Sequence, residues 1–222
     1  MQAERHGEVL LYSYWRSSSA YRVRIALNLK GVEYQQKFVH LVRDGGEQHR
    51  MEYREINPLG LVPALVHRGR AIVQSMVICE YLEEVFRDVP LLPQDPAGRA
   101  RARSIAQSIA SEIQPLNNLA VVNYLKNEMG QDDATGRAWY EHWIKRGFSA
   151  VESWLSSTDS GLFCHGDTPG LADCFLVPQV YNAERFACDL EPYPVIRRIT
   201  ERCRLLDEFH QAAPENQADA GK

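Results

Sequence analysis

Three consecutive hydroxyls, Ser17, Ser18 and Ser19, follow Arg16 in this chain of 222 residues. The stretch before them, 9–15 (VLLYSYW), is short and apolar, the pattern of a buried strand. The stretch after them, 20–30 (AYRVRIALNLK), combines good helix formers with apolar residues at Val23, Ile25, Ala26, Leu27 and Leu29, and Gly31 follows as a stop signal. The serines therefore sit where a strand hands over to a helix. At such a point the first backbone N–H groups have no intrahelical acceptor, and the positive end of the helix dipole favours an anion. Capping the helix needs one of these hydroxyls. Three exceed that need and predict a functional turn.

A second candidate is Val62-Pro63, between the turn 57–60 (NPLG) and an apolar run. A proline opening a strand can simply mark a sheet edge. A cis bond there would instead leave the N–H and C=O of Val62 outside the sheet, open to the backbone of a peptide ligand. Both readings stand on sequence alone.

The elements that must position these groups follow in order. Residues 32–41 are rich in β-formers, 43–46 read as a loop and 47–56 as a short polar helical segment. Two β runs, 62–66 and 70–73, flank His67-Arg68-Gly69 as a hairpin. Ser75 reads as the N-cap of an amphipathic helix over 76–86. A βαβ unit followed by a helix and a ββα unit is the thioredoxin-like plan, an α/β domain over 1–87. Residues 88–99 hold three prolines and a glycine, and a linker is placed at 88–96. From 97 to 222 the pattern is all-α. A long helix over 97–128 is expected to kink at Pro115, and a second spans 132–156. A buried central helix covers 171–187, bent at Pro178, and a last one covers 193–213 before a frayed polar end.

Composition narrows the function classes. Hydrophobic content of 45% and charged content of 24% are those of a soluble globular protein. A formal charge of −4, with a pI near 6.0, argues against nucleic acid or an anionic membrane as partner. No apolar run approaches the roughly 20 residues that span a bilayer, and the opening MQAERHGEVL has no signal-like apolar region. Five cysteines in no metal or CxxC spacing suggest reduced thiols in a cytoplasm, and the seven histidines (His6 among them) are scattered, so no metal is expected.

The segments SSSAYRVRIALNLKG (17–31), DGGEQ (44–48), INPLGLVPAL (56–65), VQSMVICEYLEE (73–84), LLPQDP (91–96), IQPLNNL (113–119), GLADCFLVPQVYNAERF (170–186) and YPVI (193–196) together resemble the zeta class of glutathione transferases, the group that includes maleylacetoacetate isomerase. The resemblance runs over nearly the whole chain in one order. It implies the glutathione transferase fold, a two-fold homodimer and glutathione as cofactor. It implies isomerisation of maleylacetoacetate to fumarylacetoacetate, a step of tyrosine and phenylalanine breakdown. A thiolate adds to the cis double bond, the bond rotates as a single bond, and loss of the thiolate leaves the trans isomer.

Carried over by position, the resemblance gives the reacting sulfur to Ser17, Ser18 and Ser19, with Ser17 bonded to it and Ser18 as a second donor. Gln74 and Ser75 would hold the γ-glutamyl carboxylate, Val62 the cysteinyl backbone and Gln48 the glycyl end. Gln114 and Asn118, four apart on one helix face, would close the cleft from the second domain, with Leu119 and Ala120 shaping its wall. Arg185 in NAERF would bind a substrate carboxylate. Arg22 is a candidate for both cofactor and substrate, and Arg16 and Arg24 flank the same turn, where either of Arg22 or Arg24 alone is better read as solvated or ion-paired.

Two departures from the class stand out. Many members carry cysteine where this chain has Ser19, so thiolate chemistry belonging to glutathione is kept while mixed disulfides at this position are not expected. Gly170 replaces the usual Ser or Thr of a capping box, with Asp173 still able to bond back to the Gly170 amide. Alternatives to the isomerase are a maleylpyruvate isomerase, a general glutathione transferase or dehalogenase, and a non-catalytic relative of the fold.

Overall fold

The computed structural model describes residues 7–156 and 159–221, so His6 and most of the charged opening segment lie outside the described residues. These residues divide into two compact units, one within Met1–Leu91 and Leu205–Lys222, the other within Leu92–Arg204.

The first unit is built on β1 (Val9–Ser13), α1 (Ser18–Leu29), β2 (Gln35–Phe38), a short α2 (Met51–Arg54), β3 (Ala64–His67), β4 (Arg70–Val73) and α3 (Ser75–Val85). Among the described residues the strands form one sheet in the order β2-β1-β3-β4. β1 and β2 pair in parallel, which requires the crossover that α1 supplies, and the other two pairs are antiparallel. The β3–β4 turn closes through Arg68 and Gly69, both with positive φ (52° and 71°), the two-residue turn whose hand matches strand twist. This is the expected thioredoxin-like domain. The expected strand over 32–41 contracts to the four residues of β2, three of which are exposed.

α1 is buried nearly all round, its arginines included. It stops at Lys30, whose N–H returns to the Ala26 carbonyl. The Lys30 ammonium is itself enclosed, 2.8 Å from Glu83 Oε2 and 2.6 Å from the Val89 carbonyl. The same carboxylate oxygen accepts from the Leu91 N–H at 2.8 Å. One carboxylate of α3 thus neutralises the end of α1 and fixes the chain where it leaves this unit.

The second unit is helical: α4 (Pro96–Ser108), α5 (Leu119–Asn127), α6 (Asp133–Leu155), α7 (Leu171–Arg185) and α8 (Pro194–Arg204). α7 is the buried centre, continuous through Pro178, and Asp173 Oδ2 accepts from the Gly170 N–H at 2.9 Å as expected of a capping box without serine. The single helix expected over 97–128 is broken. α4 gives way to one wide turn, Ile109–Ile113, in which the Gln114 N–H reaches the Ile109 carbonyl at 3.0 Å, and to a tight turn at Pro115–Asn117. Proline's missing N–H explains the interruption, and Asn118 restarts the chain as the cap of α5. Gly147 of α6 leaves the room that the Ile113 side chain occupies, space a Cβ would fill.

The helix expected over 193–213 also divides. α8 ends at Arg204, and α9 (Asp207–Ala212) starts with two acidic residues in its first turn. The division falls at the boundary between the units. The expected domain scheme assigned everything after 97 to the helical domain, whereas 205–221 pack with the first unit: Asn28 Nδ2 donates to the Glu208 carbonyl at 2.9 Å and Arg24 Nε to that of Ala212 at 2.9 Å.

Glu83→Ala leaves the Lys30 ammonium buried without its counter-ion, and breaking a buried pair costs about 3–5 kcal/mol. Urea unfolding is expected to show the unfolding free energy lowered by that amount, as a fall in the midpoint at an unchanged slope.

Candidate functional site

The turn between β1 and α1 is closed by the Ser17 N–H donating to the Tyr14 carbonyl at 3.0 Å. Ser17 is the N-cap of α1: its Oγ accepts from the Ala20 N–H at 3.2 Å, which leaves the hydroxyl hydrogen to donate elsewhere. Ser18 is buried and Ser19 half-buried in the first helical turn, where their N–H groups have no acceptor among the described residues. The serine that caps is therefore the one expected at the sulfur, and accepting the cap bond does not use the hydrogen it would donate there.

At the same end of the sheet, β3 enters beside Tyr12 of β1 and Val73 of β4. Val62 packs in one buried cluster with Tyr12, Tyr14, Val39 and Tyr53. The Val62–Pro63 bond is cis, and the N–H and C=O of Val62 enter no hydrogen bond among the described residues. Gln48 donates from Nε2 to the Leu41 carbonyl at 3.2 Å, while its buried Oε1 has no partner among the described residues.

The start of α3 corrects one expectation. Gln74, not Ser75, holds the N-cap position, and it does so at φ 71° and ψ 119°, a conformation that non-glycine residues rarely adopt. Ser75 is the first helical residue, and the N–H groups of Ser75, Met76 and Val77 have no acceptor among the described residues. Arg22 donates from Nη1 to Ser75 Oγ at 3.1 Å. A hydroxyl that accepts from a cation has its own hydrogen left to donate. With 1% exposure Arg22 is a support behind Ser75 and not an open cation for a substrate, and burial lowers its pKa to about 10, a value that keeps it charged.

Arg24 is farther from solvent still, with no exposed surface. It donates to the Ala212 carbonyl (2.9 Å), Ser13 Oγ (3.1 Å), the Tyr14 carbonyl (3.4 Å) and the Trp15 carbonyl (3.0 Å). Arg16 lies over the ring of Trp15, 5.2 Å from its centroid. Of the three arginines flanking the turn, two shape the first unit from within. Sequence reasoning missed this use of Arg24, and missed Asp219, whose Oδ2 accepts from the Trp15 N–H at 2.9 Å.

In the helical unit, Gln114 and Asn118 do not share a helix face. Gln114 ends the wide turn and Asn118 is extended, with Oδ1 accepting from the Ala120 N–H at 2.9 Å. Leu119 and Ala120 open α5 and are exposed. Arg185 closes α7, exposed, its guanidinium 4.8 Å from the Phe186 ring centroid. It lines a cavity of about 390 Å³ with Lys126, Asp132, Asp133, Arg137 and Tyr140. Both acids are engaged, Asp133 with Lys126 at 2.7 Å and Asp132 with the Thr135 N–H at 2.8 Å. Among the described residues the buried Tyr140 hydroxyl has no hydrogen-bond partner, and burial raises its pKa against the opposing pull of Arg185.

Residues 7–84 match the family of the glutathione S-transferase N-terminal domain. A probable maleylacetoacetate isomerase of Vibrio cholerae is 47% identical over 96% of this chain and 98% of its own. The solved holo structure of a maleylpyruvate isomerase, a bacterial glutathione S-transferase of the zeta class, has a TM-score of 0.92 at 44% identity and covers 96% of this chain and 100% of its own. A maleylacetoacetate isomerase from Methylobacterium extorquens, solved with malonate and glutathione bound, has a TM-score of 0.91 at 38% identity over 96% of this chain and 100% of its own.

The conformation of Gln74 generates a prediction about stability. Strain of this kind costs about 1–3 kcal/mol, more than the roughly 0.5–1 kcal/mol that glycine loses in backbone entropy. Gln74→Gly is therefore expected to raise the thermal midpoint, read by circular dichroism.

Proposed function

Because the chain belongs to the zeta class of the glutathione transferases, we propose that it is a glutathione-dependent cis–trans isomerase that converts maleylacetoacetate to fumarylacetoacetate. The observation that carries this reading is the set of unanswered hydrogen-bonding groups at one end of the sheet. They comprise the first-turn N–H groups of α1 and α3, the Val62 peptide groups and Gln48 Oε1.

That set fits a small acidic peptide. Ser75, Met76 and Val77 offer N–H donors to a carboxylate at a helix start, beside the Ser75 hydroxyl and Gln74. Val62 offers one donor and one acceptor in the manner of a strand, and Gln48 Oε1 accepts from an amide. Ser17 donates its hydroxyl, with Ser18 and Ser19 adding hydroxyls and N–H groups, to a thiol that is mostly protonated near neutral pH unless such donors stabilise its anion. When bound, glutathione supplies the thiolate that adds to the cis double bond and leaves after rotation. Gln114, Asn118, Leu119 and Ala120 remain candidates for the cofactor from the helical unit, and of these Asn118 is already committed to its cap.

For the substrate, Arg185 is the carboxylate-binding residue of this reading. Its support is a cationic cavity wall in which the nearby acids are already paired. Arg22 enters only through Ser75. A homodimer is proposed as well, consistent with large apolar side chains left exposed in the first unit, Met51, Leu59 and Val77 among them. Five cysteines, four of them buried and none in a disulfide among the described residues, fit a cytoplasmic setting. The boundary scheme proposed is an N-terminal domain to 87, a linker to 96 and a helical domain thereafter, with the C-terminal segment returned to the first domain.

A second reading, isomerisation of maleylpyruvate, is favoured by the likeness to the solved maleylpyruvate isomerase and uses the same chemistry on a shorter diacid. Comparison of kcat/KM for the two substrates in the presence of glutathione decides between them. No acceleration of either over glutathione alone removes both. Ser17→Ala is expected to lower kcat about a hundredfold, the loss typical of one donor to a developing anion, and Ser19→Ala far less; equal losses would show the roles wrongly assigned. Arg185→Ala is expected to raise KM for the diacid about tenfold or more, as for loss of a charged hydrogen bond, while KM for glutathione holds.

A further inference from the structure

The C-terminal segment, expected to fray, is fastened to the serine turn. Asp219 is only 7% exposed, and its Oδ2 accepts from the Trp15 N–H at 2.9 Å. Two residues earlier Gln217 is equally enclosed: its Oε1 accepts from Gln36 Nε2 at 3.1 Å, and its Nε2 donates to the carbonyls of Gln211 (2.8 Å) and Ala213 (2.9 Å). Arg24 completes the fastening, reaching the Ala212 carbonyl with Nε and the Tyr14 and Trp15 carbonyls with its other nitrogens. The Trp15 backbone is thus held on both sides, its N–H by Asp219 and its C=O by Arg24. Trp15 stands two residues before Ser17, whose own N–H closes on Tyr14. A carboxylate acceptor is strong enough to fix an N–H that would otherwise be buried without a partner.

We propose that Asp219 is a positioning residue for sulfur activation: by fixing the Trp15 peptide from the far end of the chain, it sets where the Ser17 hydroxyl and the Ser18 and Ser19 N–H groups point. This rests on the reading that the turn activates the thiol of glutathione. The carboxylate acts through the backbone and not by its charge. A negative charge near the sulfur would oppose the thiolate, so charge and position make opposite predictions.

The test is the pH dependence of thiolate absorbance in the complex of the full-length protein with glutathione, together with kcat and KM. Asp219→Ala is expected to raise the pKa of the bound thiol by about one unit, a tenfold loss of thiolate below that pKa, with kcat falling in proportion and KM for glutathione little changed. Asp219→Asn, which keeps an oxygen acceptor for the Trp15 N–H, is expected to restore most of the loss and serves where the alanine variant fails to fold. The proposal is overturned if folded Asp219→Ala titrates as the parent does, or if Asp219→Asn lowers the thiol pKa, the mark of a charge effect. The underlying reading fails separately, if glutathione bound to the unaltered protein titrates as it does free in solution.

Discussion

A guanidinium with no water around it has to be answered by protein acceptors, and Arg24 is answered by three peptide carbonyls and a hydroxyl. Its planar fork is rigid, so the acceptors are fixed relative to one another. Three of them, on Ser13, Tyr14 and Trp15, are consecutive residues running from the end of β1 into the serine turn, and the fourth, Ala212, closes α9 near the opposite end of the chain. A buried acceptor left without its donor costs about 1–3 kcal/mol, so the turn cannot drift without losing several such contacts at once. Arg22, two residues earlier, lies on another side of α1 and reaches Ser75 instead. One helix with two interior cations thereby shapes the starts of both helices that face the proposed cofactor.

The consequence is a division of labour between cations and neutral donors. Arg24 sits behind the turn and Arg22 behind Ser75, while the donors left unanswered at the sheet end are peptide N–H and hydroxyl groups. Gln74 shows what such an arrangement demands of the backbone. It carries a positive φ without being glycine, directly before the helix whose first N–H groups stand open. Strain at a binding site persists where the surrounding structure over-determines it, here through β4 on one side and the Arg22–Ser75 contact on the other.

Much of this is legible from residue order because it is local. The change from an apolar run to helical spacing across three serines locates the β1–α1 turn, and Arg68-Gly69 announces the hairpin by the φ it needs. The features that escape depend on contacts distant in sequence. Nothing in the composition of the polar 214–222 tail says that Asp219 finds an N–H more than two hundred positions away. Arg24 reads as one more surface cation on a helix because its acceptors lie in three separate elements. The break after Ser108 was half visible: Pro115 forecasts a disturbance. Its resolution as a wide turn followed by an Asn118 cap, with Gly147 admitting Ile113, is a matter of packing. That packing removed the shared face on which Gln114 and Asn118 were to meet.

An isomerase of this kind sets a particular demand on its nucleophile, which must add to the substrate and then depart from it. A thiol's nucleophilicity falls as its pKa falls, while its ability to leave improves. A cation in direct contact would favour departure and charge at the expense of attack. Neutral donors lower the pKa more gently, and this chain offers hydroxyls and peptide N–H groups at the turn while Arg22 and Arg24 are spent on Ser75, Ser13 and backbone carbonyls. Ser19 extends the same logic, placing a hydroxyl where many relatives would place a second sulfur, so the turn presents donors and no competing thiol. The reversible character of the proposed chemistry is thus matched by the kind of groups that the fold leaves free to meet the sulfur.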